Sequence, residues 1–343
     1  MPLLISHMTA LDFWRKAYPT YKSPCVDECM MPRGAIISTE EELWSLAPAL
    51  LTPAILRPEH GIVHVTVLNR SERRRSNTHM CHLWQNEIPY GSFYQLADST
   101  FIASPQLIFA QMSQSLNLEQ LIALGFEICG LYSIDDDSPF GMREREKPLV
   151  TVQELHDYLD ELSSLRCTNS KAGTTRGPYG IRKAKRALSY VVERSGSPRE
   201  TIVTMMLCLP YRLGGYGIKE PLLNHELRLI PKAADIANRR NLRADLLWKK
   251  ERFIIEFNGS PHMSESAVLS DRARTNALQL MDFTVMELTS EQLNNPARFD
   301  AIAQHIAKAL GKYIDPAKRG VLPERMRLRN EIFTWTQTSG RVL

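Results

Sequence analysis

Two short apolar runs, RADLLW at 243–248 and FIIEF at 253–257, flank the polar triplet Lys249-Lys250-Glu251. Runs of this length separated by a brief polar turn predict a β-hairpin. With the turn centred near Lys250, Asp245 falls opposite Glu256 on the neighbouring strand. Directly opposed residues of an antiparallel pair have Cβ atoms about 4.5–5.5 Å apart. Asn258 then shares the face of Glu256, because side chains alternate along a strand, and Gly259 lets the backbone turn after it. A register slip of one residue would send either acid to the other face.

The same reading covers the rest of the chain. Ser197 and Pro198 suit a helix N-cap and first position, which puts Glu200 at the third. IVHVTVL at 62–68 is β-branched and reads as a strand, with MCHLWQ at 80–85 as its returning partner. Ser104-Pro105 opens a helix to about Ser115, and Asn117 caps another to Cys129. Ser38 to Glu41 carries a capping box, and Pro48, Pro53 and Pro58 break the following region into turns. Leu155, Tyr158, Leu159 and Leu162 recur at helical spacing, as do Ile302, His305, Ile306 and Leu310 within a helix from Asp300 to Lys312. IRKAKRALSYVVERS at 181–195 buries Ala184, Leu188, Val191 and Val192 on one face. Residues 214–231 supply loop and a strand leading toward Asp245, and FTVMEL at 283–288 is a further strand. No internal repeat is present.

These elements predict an α/β protein. A separate α/β unit spans 1–150, and a helical connector with the Gly-rich loop CTNSKAGTTRGPYG spans 151–195. A second α/β domain follows at 196–313, and a basic tail containing Trp335 at 314–343 either embraces nucleic acid or packs back onto the N-terminal half. The chain has 343 residues, enough for two domains. A hydrophobic content of 43% and a charged content of 23% are those of a globular protein. The N-terminus lacks the pattern of a secretory signal, and no apolar stretch approaches the roughly 20 residues that span a bilayer. The expected location is the cytoplasm, with no membrane partner. Six scattered cysteines suit reduced thiols. Cys25 and Cys29, with Cys81 and His82, have loose zinc-like spacing that nothing else supports.

Net charge adds a partner. At +4 the chain is compatible with a polyanion. Arg70, Arg73, Arg74 and Arg75 form its densest basic cluster, a phosphate-contacting loop or, since no aromatics are interleaved, a solvated hairpin tip. Arg182, Lys183, Lys185 and Arg186 crowd the start of a helix, where positive charge opposes the dipole. DNA would relieve that cost, as would salt. Arg272 and Arg274, beside Asp271 on a helix running through ALQLM, suit phosphate contacts or the solvated face of that helix.

The acidic trio Glu200, Asp245 and Glu256 is the candidate centre. Opposed carboxylates repel unless something neutralises them, and a hard divalent ion, Mg²⁺ or Mn²⁺, bound through oxygens would do so. Asp245 and Glu256 would hold it, Glu200 would assist, and His262 would act as acid or base or contact phosphate, unless it is a surface histidine. Glu200 also has a purely local role open to it, bonding back to the Ser197 amide.

In order, SPRE, RADLLW, EFNG, His262 and Asp271-Arg272 resemble the restriction-endonuclease-like superfamily with its PD-(D/E)xK core. The similarity is strongest to domains related to the very-short-patch-repair endonucleases, and it covers about residues 196–310. It implies a mixed central sheet flanked by helices, metal-dependent hydrolysis of DNA, and site residues Glu200, Asp245, Glu256, Asn258 and His262. Asn258 stands where the superfamily usually has Lys, or Asp in the nearer relatives. A neutral amide does not supply the charge stabilisation of Lys, and this substitution points to a second class, a non-catalytic nucleic-acid binder with a degenerate nuclease fold. PYGSFYQLADSTFIASPQLIFAQM and ALGFEICGLY more loosely resemble regions grouped with type IV abortive-infection antitoxins, which implies a regulatory or toxin–antitoxin role.

Overall fold

The computed structural model describes residues 3–17, 62–74, 77, 79–97, 100–165, 177–258, 265–314 and 321–337. The predicted helix at Ser38, the prolines 48, 53 and 58, Arg75, Cys25, Cys29 and His262 lie outside them.

The chain begins with β1 (Leu3–Ile5) and α1 (His7–Ala17), followed by β2 (Val63–Val67), β3 (His79–Leu83), β4 (Phe93–Ala97) and β5 (Thr100–Ala103). These strands form a mixed sheet in the order β3-β2-β1-β5-β4. One expectation is corrected here. MCHLWQ is not the returning arm of a hairpin, because β3 runs parallel to β2 with Val63 beside His79 and Val67 beside Leu83. The Arg-rich segment is therefore a crossover and not a hairpin tip. Its first turn is built by Glu72, whose carboxylate accepts the amides of Leu68 and Asn69 and the Asn69 side chain. This closes a 3₁₀ turn at Arg70–Glu72 and carries the chain out of the strand direction.

Four helices come next: α2 (Pro105–Met112), α3 (Leu118–Ile128), α4 (Val152–Ser164) and α5 (Ile181–Leu188), with a small hairpin of β6 (Tyr132–Ile134) and β7 (Met142–Glu144) between α3 and α4. Ser104, Asn117 and Thr151 cap the first three as their side chains predict. Every position of α3 after Leu118 is buried. At Gly125 an added Cβ would meet Val191 at 2.6 Å, so only glycine admits that close approach. The helix after Tyr179 is shorter than its apolar spacing predicts and stops at Leu188. Amides 190 and 191 tighten onto carbonyls 187 and 188, and Arg194 adopts a left-handed φ of 69°.

The C-terminal part contains α6 (Pro198–Cys208), β8 (Leu222–Arg228), α7 (Pro231–Ala237), β9 (Asn241–Trp248), β10 (Phe253–Asn258), α8 (Glu265–Leu280), β11 (Thr284–Thr289), α9 (Ser290–Asn294), α10 (Pro296–Ala309) and α11 (Val321–Gln337). Its sheet is ordered β11-β10-β9-β8, with β8, β9 and β10 antiparallel and β11 returning parallel to β10. One face carries Leu246, Trp248, Phe253, Ile255 and Leu288 into an apolar core that continues to the first sheet. The other packs Ala244, Leu247 and Ile254 against Ala277 and Leu278 of α8.

Among the described residues the main core draws on side chains from Leu3 to Trp335. The basic tail packs back. Leu328, Ile332 and Trp335 are buried, Arg327 pairs with Glu119, and Glu331 accepts from Asn117 and Gln120. Among the described residues no helix is long and apolar enough to cross a membrane.

Within this core Arg15 makes a forked pair with Glu127, Nε to Oε1 and Nη2 to Oε2 at 2.7 Å each. Both side chains are nearly inaccessible, at 3% and 2% exposure. Glu127 also accepts the Ile134 amide at 3.1 Å. Removing one member of such a pair leaves a buried charge uncompensated, at a cost of about 3–5 kcal/mol. Arg15→Met should lose that much in urea unfolding. Adding Glu127→Gln, which keeps an acceptor for Ile134, should recover most of it, and a double variant no better than the single one would contradict the assignment.

Candidate functional site

Glu200 is placed by the start of α6. Ser197 accepts the Glu200 amide through Oγ at 3.1 Å, and Pro198 occupies the first turn. The Glu200 side chain turns back, but not to the Ser197 amide. Its Oε2 accepts the Gly196 amide at 2.8 Å and Asn224 Nδ2 at 2.6 Å, while Oε1 accepts the Ser197 hydroxyl at 3.0 Å. A Cβ at Gly196 would meet the Asn224 and Glu200 side chains at 2.8 and 3.1 Å, so it would push on the hydrogen bond between them. Glu200 therefore supports the helix start and, through Asn224, reaches the second sheet.

Asn224 was not legible as a site residue. It sits in β8 with a left-handed φ of 47°, a conformation that Asn tolerates better than most residues. The register that pairs Leu223 with Leu246 and His225 with Ala244 puts Asn224 opposite Asp245. The strands exchange faces at this point. Leu223 and Leu246 belong to the main core, whereas Leu227, Leu242 and Ala244 belong to the cluster under α8. An Asn inside an otherwise apolar strand was the available signal, since Asn is depleted from strands and suits local breaks.

On the other side of β9 the ladder pairs Trp248 with Phe253 and Leu246 with Ile255. One step further, Asp245 stands opposite Glu256. The Asp245 Oδ2 accepts the Phe257 amide at 2.9 Å, so the carboxylate bridges the strands beyond the last regular pair. Glu256 Oε2 receives Arg274 Nη2 from α8 at 2.7 Å. Arg274 also donates to the Arg243 carbonyl. The result is a chain of groups, Glu200, Asn224, Asp245, Glu256 and Arg274, drawn from α6, β8, β9, β10 and α8.

Burial dominates the electrostatics. It pushes Glu200 up to about 7, and the charge of Asp245 adds to the rise against the Gly196, Asn224 and Ser197 hydrogen bonds. Burial also raises Asp245, opposed by the Phe257 amide and by the charges of Arg274 and Arg243.

The other predicted residues divide. Asn258 ends β10, but its side chain lies outside the described residues, as does that of Asp271. Arg272 is exposed on α8, whereas Arg274 faces the carboxylates. Lys183 caps the Leu116 carbonyl at 2.6 Å, and Arg186 lies exposed beside Tyr190. Their helix packs on α2, α3 and α4, away from the acidic trio.

A second polar cluster was invisible in the sequence because its members lie at positions 7, 64 and 82. The His7 ring stacks on His82 with centroids 3.6 Å apart, and His64 Nδ1 meets His82 Nε2 at 2.8 Å. Burial lowers all three, His82 to about 4, so the stack is neutral near pH 7. It packs the start of α1 against β2 and β3. Cys81, beside it, is a buried thiol.

Comparison with protein-family models, with curated proteins and with solved structures finds no match to this chain. Among the described residues no group of three or more His, Cys, Asp or Glu side chains is arranged to hold a metal ion. Carboxylate oxygens are the donors a hard cation takes. The side chains as they stand are distributed along a chain, with Glu256 turned to Arg274.

The Glu200 shift fixes a sign. A carboxyl whose folded pKa lies above its unfolded value gives stability that is fully present below about 4.5 and lost as pH rises through about 7. Without divalent ions, stability should fall from pH 5 to pH 8 by a component on the order of 1–3 kcal/mol. Glu200→Gln, which keeps acceptor and donor for the same partners, should lack it and be the more stable form at pH 8. Parallel pH profiles of melting temperature for the two proteins would contradict this.

Proposed function

We propose that the protein is a divalent-cation-dependent phosphodiesterase acting on DNA, built on a restriction-endonuclease-like core. The supporting observation is the meeting of Glu200, Asp245 and Glu256 through one helix start and one hairpin, with Asp245 between the other two. Carboxylates so close and so buried are poor sheet design unless a cation or a proton offsets them. The mixed sheet with α6 and α8 on its two faces is compatible with the resemblance.

On this reading Asp245 and Glu256 would hold Mg²⁺ or Mn²⁺, with Glu200 alongside. When bound, the ion supplies an activated water and charge stabilisation at the phosphate. The chain's own residues do the rest. The Phe257 amide orients Asp245. Asn224, Gly196 and Ser197 lock the Glu200 carboxylate, and its near-neutral pKa suits it to exchange a proton with water. Arg274, and Arg272 on the outer surface of α8, are the cations available to DNA phosphates from that helix. The reading puts the protein in the cytoplasm.

One observation favours a second reading. Arg274 already neutralises Glu256 at 2.7 Å, and Asn258 lacks the charge of a catalytic Lys. A non-catalytic nucleic-acid binder or antitoxin-like regulator would keep such an arrangement permanently.

Nicking of supercoiled plasmid separates the two. With Mg²⁺ or Mn²⁺ the wild type should nick, and Asp245→Asn purified identically should be slower by about 100-fold or more. No nicking, or equal nicking by both proteins, together with plasmid binding that persists in chelator, would favour the binder.

A further inference from the structure

The position of Arg274 carries a consequence for how the site fills. Its guanidinium touches Glu256 through Nη2 at 2.7 Å, and the same nitrogen reaches the Arg243 carbonyl. Glu256 is 16% exposed and Arg274 is 30% exposed, so the acid is sunk while the base reaches solvent. The Arg274 Nε is buried and has no hydrogen-bond partner among the described residues. A buried donor in that condition carries a desolvation cost that a better partner would remove.

We propose that Arg274 is an internal stand-in for the divalent cation: it holds Glu256 in the free protein and is drawn off by a nucleic-acid phosphate, so that the cation site completes only with substrate in place. The proposal rests on the phosphodiesterase reading and adds its regulation. Arg274 on Glu256 Oε2 repels a divalent ion approaching the same carboxylate. Cation binding is therefore weaker while Arg274 is seated and stronger once it has moved off. A phosphate offers the displaced guanidinium two oxygens in the planar geometry that its Nε and Nη donors match. Phosphate and cation then each favour the arrangement that the other needs, and their affinities are coupled reciprocally. The exposed side of Arg274 lets it turn outward without unfolding α8, whose Ala277 and Leu278 remain in the core.

The test is Mn²⁺ binding by calorimetry to the full chain at pH 8, with and without a short phosphorothioate DNA duplex that resists cleavage. Arg274→Gln keeps a hydrogen-bonding side chain but removes the charge. It should bind Mn²⁺ about tenfold tighter than wild type without DNA, as expected when one competing unit charge is removed. Wild type should tighten by a similar factor when the duplex is added, and the variant should tighten little. Arg274→Lys retains the charge and should bind Mn²⁺ without DNA as wild type does. If Arg274→Gln is folded by circular dichroism yet binds Mn²⁺ no tighter than wild type, Arg274 is a structural clamp and the proposal is overturned while the phosphodiesterase reading stands. If no protein binds Mn²⁺ with or without DNA, both fall.

Discussion

Setting carboxylates into the edge of an apolar core is the constraint on which the C-terminal half depends. Charged groups in such surroundings are costly unless hydrogen-bonded or paired. Each acid has its own relief: Glu200 has a helix-start amide, a hydroxyl and an Asn amide, Asp245 has a strand amide, and Glu256 has an arginine. What remains unrelieved shows in the raised proton affinities of Glu200 and Asp245. The sheet accommodates the group by exchanging its faces at Asn224 and Asp245, so that the polar row stands at a seam between two apolar clusters.

The main core fixes α6 against α3 and α11, and α8 covers the opposite face of the second sheet. Asp245 lies between the two layers, so a small relative shift of α6 or α8 would change which acids it meets. The buried Arg15–Glu127 pair ties α1 to α3, and α11 returns onto α3 through Arg327 and Glu119. The carboxylate site therefore rests on packing far from it.

The sequence made the hairpin legible because its apolar runs and polar turn are local, and local patterns carry register. The helix starts at Ser104, Asn117 and Ser197 were legible for the same reason: a cap needs only its own few residues. The direction of β3 was not. Alternation specifies a strand and its faces but not whether its neighbour is parallel. Asn224 and the histidine stack were hidden because they are made by residues distant in sequence. The role of Arg274 was half legible, since its charge and helix could be read, whereas its choice of Glu256 depends on how α8 lies over β10.

Crystals soaked in saturating Mn²⁺ and measured at an anomalous wavelength would test the central claim most directly. The account predicts an anomalous peak coordinated by Asp245 and Glu256, with the Arg274 guanidinium moved off Glu256. An ordered site with no peak there, and Arg274 still seated on Glu256, would contradict it.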